Sequence, residues 1–251
     1  MKANETQINF SYKNYCEIIN KYLDFIIDFN DIDGKKNFVL IRHDVEFSVK
    51  RAYKLAMINA KLGVKNASFL FQVKSNAYNI CSKENSLLVN KIKNLGFCVG
   101  LHFYVSHLKV NDWESLKKEL LIQSKLFYIA TGIKIDRFSY HRPPQWVLKN
   151  DANKIKGLIN MYGKSYFEFS SNPKKIKYYA DSNHAFKYGN PLRNTNFNKF
   201  QILLHPDEWS KKGLSESDNF FSLIKENEMN FKDVLEKENK NFKNYKYSFL
   251  K

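Results

Sequence analysis

The stretch "FVLIRHDVEF", residues 38–47, decides how the rest of the chain is read. Four apolar residues, Phe38 to Ile41, run directly into Arg42, His43, Asp44 and Glu46. A short apolar run of this kind reads as a buried strand. Charges carried into a core are costly unless they are paired or ligate a metal. The strand therefore ends either in solvent or at a site.

The same pattern recurs along the chain. Apolar runs at 66–73, 97–103, 135–140, 176–182 and 200–205 read as further strands. Helical periodicity lies between them. Tyr15 to Ile26 forms a first amphipathic helix. Val49 to Leu62 is a second, stopped by Gly63, and residues 84–96 are a third, stopped by Gly96. Trp113 to Ala130 is a fourth, closed by Gly132. A short helix is expected near 151–160, and a polar helical tail closes the chain. Strands alternating with helices predict a parallel sheet covered by helices. About six to seven such units favour a barrel, complete or partial, with its chemistry at the strand C-termini. No repeat or linker divides the chain, so residues 1–251 read as one domain with helical additions at both ends.

Composition narrows the function. Apolar residues make up 43%, with 21 Phe and 15 Tyr, enough for a sizeable core. The start, "MKANETQINF", carries no apolar signal region, and no run is long enough to span a bilayer. The expectation is a cytoplasmic protein, with peripheral membrane contact left open. Three scattered cysteines, Cys16, Cys81 and Cys98, show no metal-type spacing. The net charge of +16 suits an anionic partner. The lysines are dispersed and no nucleic-acid motif is present, so nucleic acid is not expected as a partner.

Five of the six histidines lie at or just past a strand end: His43, His102, His107, His141 and His205. His184 reads as a surface residue. Histidines from several strands on one rim point to a metal or acid–base site. Asp44 and Glu46 are two apart, so in extended backbone they point the same way. With His102 they would bind a divalent ion and leave coordination positions open for water and substrate. Asp44, if not a ligand, would be a general base, held ionised by Arg142. His205 would protonate a leaving group.

These residues resemble the polysaccharide deacetylases (carbohydrate esterase family four), and most closely a branch with a His-Asp-Val-Asp signature. The resemblance covers roughly residues 37–209. "RHDVE" is similar to the first motif, with Glu46 where the branch has Asp. "NLGFCVGLHF" resembles the Gly-x-x-x-Gly-x-His motif, and "SYHRPP" the Arg-x-Pro motif. Asp181 stands at the fourth motif's aspartate, and "ILLHPDEW" resembles the closing Leu-x-His motif. The resemblance implies a deformed (β/α)7-type barrel and metal-dependent removal of an N-acyl group, acetyl or formyl, from an amino sugar. It implies one divalent metal, Zn foremost and Mn, Co, Ni or Fe otherwise, on Asp44, Glu46, His102 and His107; His107 matches only across an insertion and reads equally as a surface residue. Catalysis would rest on Asp44, Arg142 and His205. His43, His141, Asp181 and Trp209 would border the substrate; for His141 a ligand role is equally open, as is plain packing for Trp209. A chain without a secretion signal would meet a nucleotide- or lipid-linked precursor of a surface polysaccharide, such as lipopolysaccharide or capsule. The alternatives are a non-catalytic sugar-binding relative and a metal-free hydrolase of cyclic amides or ureides.

Overall fold

The pleat of the first strand explains the layering of the whole fold. In the computed structural model, which describes residues 8–108, 111–169, 175–194, 196–239 and 241–242, β1 spans Phe38–Val45 and is buried along its entire length. Successive side chains alternate faces. Val39, Ile41 and Val45 enter the large cluster beneath the helices, whereas Phe38 and Leu40 enter a second, inner cluster with Phe29, Met161 and Tyr166. One face of the strand thus serves the helical layer and the other the concave interior.

The remaining strands follow from the same apolar runs. They are β2 Ser68–Phe71, β3 Cys98–Tyr104, β4 Arg137–His141, β5 Lys154–Ile155, β6 Leu158–Asn160, β7 Lys177–Ala180 and β8 Lys199–Leu204. The order across the sheet is β5-β6-β4-β3-β2-β1-β8-β7. Every neighbouring pair is parallel except the edge pair β5–β6. The sheet curls into an open, deformed barrel. Gln201 on β8 donates through Nε2 to the carbonyls of Met161 (3.1 Å) and Tyr166 (2.6 Å), just beyond β6. β4, β3, β2 and β1 separate those two strands in the sheet, so the contact requires a closed curve.

The helices are α1 Tyr12–Tyr22, α2 Val49–Lys61, α3 Lys83–Asn94, α4 Trp113–Thr131, the short α5 Gln145–Leu148 and α6 Glu216–Glu238. Ser11, Ser48, Ser82, Asp112 and Ser215 cap α1, α2, α3, α4 and α6, each accepting a hydrogen bond from a backbone N–H of the first turn. Among the described residues no helix is long and apolar enough to cross a membrane.

One expectation is corrected. Residues 151–160 form no helix but the β5–β6 hairpin. Lys156 (φ 51°) and Gly157 (φ 82°) turn it, and two consecutive positive φ angles are what a tight hairpin needs.

β3 comes unusually close to β4 at Gly100. A Cβ there would lie 2.6 Å from the Arg137 carbonyl oxygen and 2.6 Å from Leu70 Cδ2. Gly100→Ala is therefore expected to destabilise the fold by about 1–3 kcal/mol, read from urea unfolding. A midpoint equal to wild type would contradict this packing.

Candidate metal centre and acid–base pair

The inner row of β1 continues upward from Phe38 and Leu40 through Arg42 and Asp44 to Glu46, the first residue past the strand. Arg42 is fully buried, with Nε 3.2 Å from Asp44 Oδ1. Its Nη2 contacts the Tyr162 hydroxyl at 3.1 Å, and its Cζ lies 4.6 Å from the centre of the Tyr162 ring. The arginine beside Asp44 is thus Arg42 and not Arg142. Arg142 follows β4 in a left-handed conformation (φ 45°), exposed on the wall of the cleft.

Glu46 Oε1, His102 Nε2 and His141 Nδ1 converge. The three separations are 3.3 Å (Glu46–His102), 2.9 Å (Glu46–His141) and 3.0 Å (His102–His141). Three ligands each about 2.0–2.1 Å from one ion stand about 3.0 Å apart at right angles and about 3.4 Å apart in a tetrahedron. The triangle has the size of a divalent ion's coordination face, and two imidazoles with one carboxylate are a fitting donor set. Burial pushes the Glu46 carboxyl up, but the facing His102 and His141 imidazoles outweigh it and hold the group well below the usual carboxylate range.

Asp44 stands behind this triangle. Ser139 Oγ donates to Asp44 Oδ1 at 3.0 Å, so its oxygen is left to accept from His102 Nδ1 at 2.8 Å. Asp44 Oδ2 is 3.4 Å from the same nitrogen. The network places the His102 proton on Nδ1 and turns the Nε2 lone pair toward Glu46 and His141. A carboxylate behind a ligating histidine fixes its tautomer and ring orientation. Asp44 is therefore not among the three converging groups; His141 is. His107 closes a 3-10 turn after β3, and its side chain lies outside the described residues.

On the opposite wall, His205 Nε2 is 3.8 Å from Glu46 Oε1. Its Nδ1 is 2.6 Å from Asp181 Oδ1. Asp181 is fully buried and also accepts from the His205 backbone N–H and, at 2.8 Å, from Trp209 Nε1. Burial pulls the His205 imidazolium down, but the Asp181 charge and hydrogen bond outweigh it and lift it to about 10. Asp181 and Trp209 accordingly position His205. Neither lines the cleft: Asp181 is buried, and Trp209 is sealed among Phe10, Tyr15 and Phe186.

His43 is corrected as well. It occupies the odd parity of β1, faces the helices and is fully buried, stacked on Phe69. Nε2 meets the Tyr15 hydroxyl at 2.8 Å and Nδ1 the Ser68 carbonyl at 3.1 Å. Burial lowers it to about 4, so it is a neutral core histidine. His184 is not a surface residue: it binds Glu208 Oε2 at 2.8 Å and packs 4.1 Å from the Phe10 ring.

The cleft above these groups holds about 510 Å³. Asp207, within the quoted "ILLHPDEW" but unassigned there, lines it. Asp207 is buried, its Oδ1 has no hydrogen-bond partner, and burial pushes its carboxyl up to about 7. It lies two residues past His205 in the turn after β8, and that spacing was its one sequence signal. Ser139 was equally legible as the residue two before His141.

No protein-family profile matches the chain. No curated protein matches it. Among solved structures, its chain trace is similar to an esterase of carbohydrate esterase family 4 from Streptococcus mutans, 12% identical over 86% of this chain and 91% of that one, with a TM-score of 0.47. A family 4 carbohydrate esterase from Bacillus anthracis is 17% identical over 92% of this chain and 94% of that one, with a TM-score of 0.44. A family 4 pseudoenzyme from Bacillus anthracis is 14% identical over 76% of this chain, with a TM-score of 0.40; the match spans 62% of that protein's length.

Two outcomes test the site. Ser139→Ala removes the acceptor for His102 Nδ1–H and is expected to weaken metal affinity about 10–100-fold, measured by titration against a chelator. Equal affinity would mean that the Ser139 bridge does not orient His102. The raised His205 value contributes stability that is full below its ordinary value of 6.5 and lost as pH rises through about 10. Metal-free protein should lose that part of its unfolding free energy across this window, and His205→Asn should flatten the profile. An equally steep decline in the variant would contradict the pairing with Asp181.

Proposed function

We propose that this chain is a polysaccharide deacetylase-type hydrolase that removes an N-acyl group, acetyl or formyl, from an amino sugar with the help of one divalent metal. The observation that carries this reading is the juxtaposition of the Glu46–His102–His141 triangle with the Asp181-held His205 across one open cleft. The five ordered sequence motifs point the same way. Zn is the preferred ion, since carboxylate and imidazole ligands with open positions suit a catalytic zinc; Mn, Co, Ni and Fe accept the same donors.

Glu46, His102 and His141 would hold the ion. Bound there, it supplies a Lewis acid for the acyl oxygen and makes hydroxide available near neutral pH. Asp44 lines the cleft, and its Oδ2 is the less engaged oxygen, so it is the group to accept a proton from water. Arg42 balances its charge from below. His205, protonated at neutral pH and held by Asp181, delivers its Nε2 proton to the leaving amine. Asp181 and Trp209 keep that nitrogen aimed into the cleft. The positive net charge supports a phosphate-bearing substrate, a nucleotide- or lipid-linked precursor in the assembly of a bacterial surface polysaccharide.

The test is release of acetate or formate, followed by NMR, from free, nucleotide-linked and lipid-linked N-acylamino sugars. His205→Ala should lower turnover by roughly 10²–10⁴, the range of a general acid–base group. Glu46→Gln should lose both metal and turnover. Turnover that persists in metal-free protein would overturn the reading.

A further inference from the structure

A second hollow, of about 540 Å³, adjoins the cleft. Lys187 and Tyr188 line both. Lys177 and Arg193 bring the cations lining the hollow to three, and none of its lining residues is Asp or Glu. Among the described residues no carboxylate pairs with Lys177, Lys187 or Arg193. Lys177 Nζ lies 5.6 Å above the Tyr179 ring and 5.5 Å above the Phe197 ring. Lys21 Nζ donates to the Leu192 carbonyl at 2.6 Å, and the Tyr22 hydroxyl donates to that of Pro191, tying the 3-10 turn Pro191–Arg193 to α1.

Like charges gathered around one concave wall repel, and a bound anion relieves them. Three cationic side chains lining one hollow, one of them a guanidinium fork, suit a phosphoryl group, which offers three oxygens and up to two charges. We infer that this hollow binds a phosphoryl group carried by the substrate, while the acylated sugar occupies the cleft. Lys187 and Tyr188 sit at the junction of the two parts. This rests on the deacylase reading of the cleft, but it makes its own claim about where the anion binds. A nucleoside diphosphate and a lipid phosphate share this chemistry.

The test is calorimetric titration of the metal-loaded protein with inorganic pyrophosphate at low salt. Saturable binding is expected. It should weaken at least tenfold in the Lys177→Gln/Arg193→Gln double variant and persist in Glu46→Gln. Thermal unfolding of the double variant, matched to wild type, establishes that the fold is intact. Absence of saturable binding would overturn the inference. So would binding that is lost in Glu46→Gln and kept in the double variant, because the anion would then sit on the metal. In a second arm, uridine diphosphate and a short-chain prenyl phosphate compete with pyrophosphate, and the stronger competitor identifies the source of the phosphoryl group. Pyrophosphate binding as expected with no acyl release from any sugar would remove the deacylase reading and leave the anion site standing.

Discussion

The buried pair of Arg42 and Asp44 is the constraint on which the cleft depends. Both side chains are almost entirely buried, Arg42 at 0% and Asp44 at 1% exposure, on the inner face of β1. Desolvating two charges is expensive, and removing one partner from such a pair costs about 3–5 kcal/mol. The barrel meets that cost with geometry. The guanidinium lies against the Tyr162 ring and reaches its hydroxyl, and Asp44 is engaged by Ser139 and His102. Because β1 is pleated, the charge that Arg42 neutralises lies one step below the charge that Glu46 presents. A one-residue slip of β1 would exchange this row for His43 and Val45 and erase the site.

His102 and His205 each have an orienting partner held by a different strand. β4 supplies Ser139 to His102 on β3. Asp181, just past β7, holds His205, just past β8, and Trp209 holds Asp181 in turn. Parallel strands end together, so side chains far apart in sequence arrive at one rim, as expected of such barrels. The mouth above is aromatic. Phe47, Phe169, Tyr188 and Phe220 border it and remain exposed. The result is a polar floor beneath an apolar rim, with cations collected to one side.

Much of this was legible in the sequence. Apolar runs marked the parallel strands, and histidines at their ends marked the rim. Parity along "RHDVE" set Asp44 and Glu46 on one face; the same parity turns His43 to the helices, which its assignment to the substrate overlooked. Other features were settled by three-dimensional closure. The choice between Arg42 and Arg142 depends on the curl that brings Tyr162 and Tyr178 against β1. His141 joins the triangle because β4 lies beside β3 in a register that sets Tyr104 opposite His141. Residues 151–160 carry apolar residues at spacings compatible with a helix, and the Lys156–Gly157 turn chemistry overrode them. Asp181 stood at the fourth motif's aspartate and Trp209 four residues past the closing histidine, so both resembled substrate contacts. Their burial reveals that they act through it.

The most direct measurement is anomalous diffraction at the metal edge from crystals of the protein soaked or grown with Zn²⁺. The account predicts one strong peak within bonding distance, about 2.0–2.2 Å, of Glu46 Oε1, His102 Nε2 and His141 Nδ1. Asp44 would remain behind His102, outside the coordination shell. A peak bonded to Asp44 in place of His141, or no peak at that triangle, would contradict it.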